Sequence, residues 1–326
     1  MPQTYDSPNS SNTPHMKVVI AGGSGFLGNA LAWAWAEEGH DVRVLTRSLP
    51  PGQARHESGT GTPGITNVGW TPDGQQGCLA GEIEGALAVI NLAGASINGG
   101  RWNAARKQAI RDSRLQATGS LAAAIAAAPS PPPVFVSASG VGYYGDRGSD
   151  ALSEDSGPGD DFMAHVCLEW EAEAQRAARA GVRVVTVRTG LVLEKSGGAL
   201  PEMARPFRFF VGGPIGSGRH YMSWIHRHDW IELVRWIVET PAVAGPINAT
   251  APHPVTNLQF AHALGRALHR PALVPAPKFA VRLAIGEMAD AVFASQRALP
   301  GVALANGYHF RYPEIDIAFR GIYGDS

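Results

Sequence analysis

Cysteine is nearly absent from this chain, with only Cys78 and Cys167 among its 326 residues. That excludes the disulfide framework of a small secreted domain and sets a reducing, cytoplasmic location as the expectation. Net charge is almost absent too, at −1 from 27 basic and 28 acidic residues. Nucleic-acid binding leans on many phosphate neutralisations, so this balance argues against it and points to a small-molecule ligand. Long apolar runs are missing. The longest, LAAAIAAA at 121–128, falls well short of the roughly 20 residues of a membrane span, and no membrane partner is expected. The opening MPQTYDSPNSSNTPH lacks the basic start and apolar middle of a signal peptide and reads as a disordered tail over 1–15. Lysine is scarce as well, occurring only at Lys17, Lys107, Lys195 and Lys278, so a catalytic lysine has few candidates.

What the chain does have is alternation. From Met16 to about Gly190, the strand-like runs KVVIAG (17–22), DVRVLTR (41–47), LAVINLAG (87–94), PVFVSAS (133–139) and VRVVTVRTG (182–190) are separated by helical patterns at 26–38, 103–127 and 161–180. Strands and helices in turn imply a parallel sheet covered on both faces. Residues 48–80 are rich in Gly, Pro and Thr and hold only a short strand near ITNVGW. After Gly190 the pattern loosens, with helices expected at Asp229 to Glu239 and 257–269 and a strand at PINATA (246–251). The expected fold is therefore α/β, a Rossmann-type doubly wound parallel sheet over 16–190. A smaller C-terminal substrate-side region follows over 191–326, of which about 229–251 returns to the sheet.

The stretch VVIAGGSGFLG, Val18 to Gly28, places glycines at 22, 25 and 28 between a strand and a helix with the apolar residues Phe26, Leu27, Leu31 and Trp35. In that setting Gly22 permits the tight turn, Gly25 lets a diphosphate approach the backbone, and Gly28 lets helix and strand pack closely. Helix amides and the positive helix end complete an anion cradle over Gly22, Gly25, Phe26, Leu27 and Gly28. The next strand ends in Thr46, Arg47 and Ser48 rather than in the carboxylate that would accept from an NAD ribose. A guanidinium suits a 2′-phosphate, so the expected cofactor is NADP(H), with Thr46 and Arg47 at its adenosine end.

With GGSGFLG, VINLAG and VSASGVGYYG in order, the chain resembles the extended short-chain dehydrogenase/reductases. It is most similar to their atypical epimerase-like branch, nucleoside-diphosphate-sugar epimerase-like proteins with a C-terminal domain of unassigned function. RWNAARKQAIRDSR, CLEWE, VRTGLVL, GGPIGSG, SWIHRHD, INATAP and NGYHFRYPE extend the likeness from about Met16 to Tyr323. The resemblance implies that Asn91, Leu92, Ala93 and Gly94 line the adenosine ribose and diphosphate, that Arg114 reaches the cofactor, and that Thr189, Gly190 and Val192 lie beside the nicotinamide. Arg114 also continues the helical stripe Thr118, Leu121, Ile125, which turns it toward the sheet.

Ordinary members hold the reacting oxygen with a strand-end Ser or Thr and move the proton with a Tyr-x-x-x-Lys pair. Ser139 keeps the first place, but Phe162 and Val166 stand where the pair belongs, and no tyrosine here has a lysine four residues on. His165, Cys167, Tyr143 and Tyr144 are the nearest substitutes. The HRHD of His226, His228 and Asp229 does not amount to a converging ligand set, and no metal is expected; Asp229 reads as a helix N-cap. Two functions fit these residues. One is an NADP(H)-dependent oxidoreductase or epimerase-like enzyme acting on a small carbonyl or hydroxyl compound, nucleotide sugars included, with Ser139 as its catalytic residue. The other is an NADP(H)-binding sensor that has lost turnover.

Overall fold

The computed structural model describes residues 15–47, 64–75, 77 and 79–324. Ser48 and Cys78 lie outside these, as does the expected tail up to residue 14. Seven strands form one parallel sheet: β1 (Lys17–Ala21), β2 (Asp41–Thr46), β3 (Ile65–Gly69), β4 (Ala88–Asn91), β5 (Val134–Gly140), β6 (Arg183–Thr189) and β7 (Gly245–Ala249). Their spatial order is β7-β6-β5-β4-β1-β2-β3, so the chain winds outward from β1 in one direction and then, crossing to β4, in the other.

The strands are apolar on both faces because both are covered. Val18, Ile20, Val42, Val44, Val136 and Val187 pack against α1 (Phe26–Glu37) through Leu31 and Trp35, and against α6 (Arg227–Glu239) through Trp230, Leu233 and Ile237. The alternate residues Val19, Leu45, Val89, Phe135 and Val184 point the other way. These meet α2 (Leu79–Ile83), Leu121 and Ile125 of α3 (Ala104–Ala127), and Ala174 of α4 (Phe162–Gln175). The expected helix over 161–180 is α4 followed by a 3₁₀ turn at Arg176–Ala180. A third cluster lies beyond β6, where α5 (Leu200–Arg208), α7 (Asn257–Leu268) and the helix Ile315–Tyr323 bury Phe207, Trp224, Phe260 and Phe319.

Asp229 does not cap α6. The N-cap is His226, whose Nδ1 accepts from the His228 amide, while the buried Asp229 carboxylate accepts from the amides of Arg311 at 3.0 Å and Tyr312 at 2.9 Å. A carboxylate inside the first turn can satisfy amides from another segment as readily as its own helix's, and here it fastens the C-terminal segment to the sheet layer. His226 stacks on Tyr312 at 3.8 Å, and burial pushes its pKa down to about 4.

Candidate functional site

The carboxyl ends of β1, β2 and β4 open onto a cleft of about 620 Å³. Gly22, Ser24 and Gly25 form its floor; Leu45, Thr46, Arg47, Trp70 and Pro72 form one wall, and Leu92, Ala93, Gly94, Ala95, Ser113, Gln116 and Ala117 the other. The glycines are there for reasons the geometry states. Gly22 has φ +80°, and a Cβ on it would lie 2.7 Å from the Leu92 carbonyl. At Gly28 a Cβ would stand 2.3 Å from the Gly22 oxygen, so α1 packs onto the turn only because no side chain intervenes. Gly25 immediately precedes α1, and among the described residues other than its chain neighbours the only atom within 4 Å of a Cβ there is the Gly22 oxygen at 3.2 Å. The space above Gly25 therefore belongs to the cleft, beside first-turn amides that have no partner within the helix. The side chains of Phe26 and Leu27 pack against the core instead, so these two residues can contribute only their amides to the cradle.

Three of the expected residues, Asn91, Arg114 and Val192, do not line the cleft. Asn91 is fully buried: its Nδ2 donates to Thr118 Oγ1 (2.8 Å) and Ser137 Oγ (3.3 Å), and its Oδ1 accepts from the Ala93 amide (3.2 Å). Trp170 Nε1 donates to the same Thr118 oxygen at 2.8 Å. Asn91 thus fixes the end of β4 from within, because a buried amide must spend its hydrogen bonds on protein. Val192 is buried in the strand Leu191–Leu193 and does not line the cleft. Arg114 stands behind the wall: its Nη1 donates to the carbonyls of Ala95 (3.1 Å) and Ile110 (2.8 Å), and its guanidinium lies 5.0 Å from the Trp170 ring. The expected strand 87–94 ends at Asn91, which frees Leu92 to Gly94 to edge the cleft.

At the end of β5, Ser139 is 5% exposed and its Oγ donates to Glu171 Oε1 at 2.7 Å. Glu171, on α4, is gripped by both arms of Arg188 on β6, with Nε to Oε1 at 2.8 Å and Nη2 to Oε2 at 2.9 Å. Burial alone would lower the pKa of Arg188, but the hydrogen bonds and charge of Glu171 reverse the sign and raise it. Its Nη1 continues to Tyr144 Oη and the Glu154 carbonyl, both at 3.1 Å, and its guanidinium lies 3.5 Å from the Tyr143 ring. Tyr144 in turn donates to Asn248 Oδ1 at 2.7 Å, tying β7 into the network.

This geometry sorts the four substitutes. Burial, followed by the charge of Glu171, pushes the Cys167 thiol up to about 11, and burial raises the Tyr144 phenol against the pull of Arg188, so neither loses its proton near neutrality. Tyr143 is the platform under Arg188, and His165 faces solvent. Phe162 packs edge-on against Trp102 at 5.4 Å. Glu171 and Arg188 were not singled out from the sequence, although both sit inside stretches noted there, CLEWE and VRTGLVL. Trp70 ends the short strand noted at ITNVGW, and Gln116 had no such signal. Among the described residues, no group of three His, Cys, Asp or Glu could hold a metal ion, and no helix is long and apolar enough to cross a membrane.

A parallel sheet that reverses direction beside a glycine turn, with a helix opening from that turn, defines a Rossmann-type protein of the extended short-chain dehydrogenase/reductase kind. The chain belongs to the NAD dependent epimerase/dehydratase family, whose model matches residues 18–249, and residues 276–322 match a domain of unknown function, DUF1731. Its relatives include the epimerase family protein YfhF of Bacillus subtilis, 37% identical over 95% of this chain and 99% of that one. The crystal structure of human epimerase family protein SDR39U1 (isoform 2) with NADPH superposes with a TM-score of 0.83 at 34% identity, covering 95% of this chain and 100% of that one. MoeE5 in complex with UDP-glucose and NAD shares the fold at 16% identity and a TM-score of 0.72, covering 94% and 97% of the two chains.

Proposed function

We propose that the protein is a cytoplasmic NADP(H)-dependent oxidoreductase or epimerase-like enzyme acting on a small carbonyl or hydroxyl compound, nucleotide sugars included. The observation that carries this reading is the hydrogen bond from Ser139 to Glu171, anchored by Arg188, at the strand end where the family places its reacting oxygen. The cleft fits a dinucleotide: Gly22 and Gly25 leave room at the turn, where the Gly25 amide donates to the Gly22 oxygen, the first-turn amides of Phe26, Leu27 and Gly28 would meet its diphosphate, Leu92 to Gly94 its ribose, and Thr46 and Arg47 a 2′-phosphate. NADPH in the human relative supports that choice. When bound, the dinucleotide supplies or accepts the hydride.

The chain's own residues handle the proton. Glu171 as a carboxylate can only accept, so the single proton of Ser139 is committed to it, and Ser139 Oγ faces a substrate as an acceptor. It takes the proton of a substrate hydroxyl as its own passes to Glu171 Oε1; in the reverse direction both protons return. Ser139 therefore does more than hold the reacting oxygen. Phe162 and Val166 favour the second reading, a silent NADP(H)-binding sensor, because the usual proton-moving pair is gone.

NADPH consumption across a panel of carbonyl compounds and nucleotide sugars separates the two. The enzyme reading expects turnover by wild type, a fall of about 10²-fold or more in kcat for Ser139→Ala, and unchanged NADPH affinity. A panel with no turnover sinks the enzyme and leaves the sensor.

A further inference from the structure

Exposed apolar side chains gather along one ribbon of the C-terminal region. Helix α5 runs out into Phe209, Phe210 and Val211, all exposed, and the segment after them lies beside 274–276. The Val274 amide donates to the Gly212 carbonyl at 3.1 Å and the Ala276 amide to that of Pro214 at 2.9 Å. Leu273, 79% exposed, leads into the second segment, and helix α8 (Lys278–Ile285) follows it. None of the residues of α8 is buried, and Phe279 and Leu283, one turn apart on one face, are 75% and 74% exposed. Single exposed apolar residues are ordinary, but a run of them on adjoining segments marks a contact surface.

The backbone is shaped to hold one of these rings in the open. Phe210, at φ +60°, is the left-handed residue of the turn that closes α5: its amide donates to the Phe207 carbonyl at 3.0 Å and the Val211 amide to that of Pro206 at 3.1 Å. Glycine fills such a position without steric cost, whereas a bulky side chain there is strained. The Phe210 ring, 58% exposed, meets the Arg270 guanidinium at 4.6 Å and gains little burial in return. A partner that covers the ring supplies what the fold does not.

The charge around the ribbon identifies that partner. The whole chain is balanced at −1, yet no Asp or Glu occurs over 203–228 or 240–286, the two stretches that build this surface. Arg208, Arg270 and Lys278 pair with no carboxylate among the described residues, while Arg205, Arg266 and Arg282 reach Glu202, Asp316 and Asp290 outside these stretches. A second copy of the chain on a two-fold axis would set these cations against themselves. An anionic bilayer attracts them and takes phenylalanine and leucine side chains at its headgroup boundary. We propose that the ribbon of Phe209, Phe210, Val211, Leu273 and α8 docks the protein on an anionic phospholipid membrane. A surface contact of this kind needs neither a spanning segment nor a bound cofactor.

Co-sedimentation of the full chain with vesicles tests it, using phosphatidylcholine alone and an equal mixture of phosphatidylcholine and phosphatidylserine. Wild type is expected to bind the mixed vesicles at least about tenfold tighter than phosphatidylcholine, and to weaken as salt rises. Phe279→Ser with Leu283→Ser is expected to lower the affinity for mixed vesicles about tenfold or more, and Lys278→Gln about fivefold. Phe210→Gly is expected to lower it too, while its urea midpoint holds or rises because the left-handed turn is relieved. Leu304→Gln, at an exposed leucine outside the ribbon, is expected to bind as wild type does. The proposal is overturned if wild type stays in the supernatant with mixed vesicles, if it binds both vesicle types equally, or if the variants, folded by their urea midpoints, bind as wild type does. It is also overturned if sedimentation velocity without lipid shows a dimer that Phe279→Ser with Leu283→Ser dissolves, which gives the surface to a second copy.

Discussion

At the scale of single residues, the site is organised by Arg188, which reaches Glu171, Tyr144 and the Glu154 carbonyl from one position on β6. Removing one member of a buried ion pair leaves the other charged and unsatisfied, so Arg188→Met is expected to destabilise the fold by about 3–5 kcal/mol. Urea unfolding measures this, and an unchanged midpoint would mean that the pair is incidental. Glu171→Gln leaves Arg188 without its counter-charge in the same way, so it too is expected to lower stability, and its activity is read on the folded variant. The substitution keeps the shape but can no longer take the Ser139 proton, so kcat is expected to fall by about 10²-fold with little change in NADPH affinity. A variant with wild-type kcat would remove Glu171 from the proton path. Ser139 was singled out in the sequence because the family resemblance puts a Ser or Thr at that strand end, whereas Glu171 was not singled out. Its partner stands 32 residues away, and only the docking of α4 against β5 brings the two together.

At the scale of elements, the sequence told most about the sheet. Strands covered on both faces leave continuous apolar runs, and glycines and helix stripes mark what lies between them. It told least about α6. An aspartate before an apolar helix is the usual sign of a cap, yet His226 caps and Asp229 turns inward, because Arg311 and Tyr312 supply amides from a segment 82 and 83 residues further on. The capping histidine makes this junction sensitive to pH. Its folded pKa of about 4 lies below the ordinary 6.5, so between these values the unfolded chain binds the extra proton and acid favours unfolding. The contribution of His226 is fully present above pH 6.5 and is lost as pH falls toward 4, at most about 3 kcal/mol over the window. His226→Asn keeps a capping side chain without the titration. Chemical denaturation at pH 7 and at pH 4.5 is expected to show a smaller loss for the variant than for wild type; equal losses would contradict the assignment.

At the scale of the whole molecule, the cleft at the switch of strand order joins a floor read from the glycine spacing to walls that were only partly legible. Trp70 and Pro72 come from a region without strong periodicity, and Gln116 is one polar residue of a long helix; neither position announces a ligand until the sheet sets them opposite Gly22. The central claim is that this cleft takes NADP(H), with Arg47 reading the 2′-phosphate. Paired calorimetric titrations of wild type and Arg47→Asp with NADPH and with NADH test it most directly. Wild type is expected to bind NADPH at least about tenfold tighter than NADH, a difference of about 1.4 kcal/mol that one charge-assisted contact can supply, and Arg47→Asp to reduce or reverse the preference. Equal affinities of wild type for the two nucleotides would contradict the account.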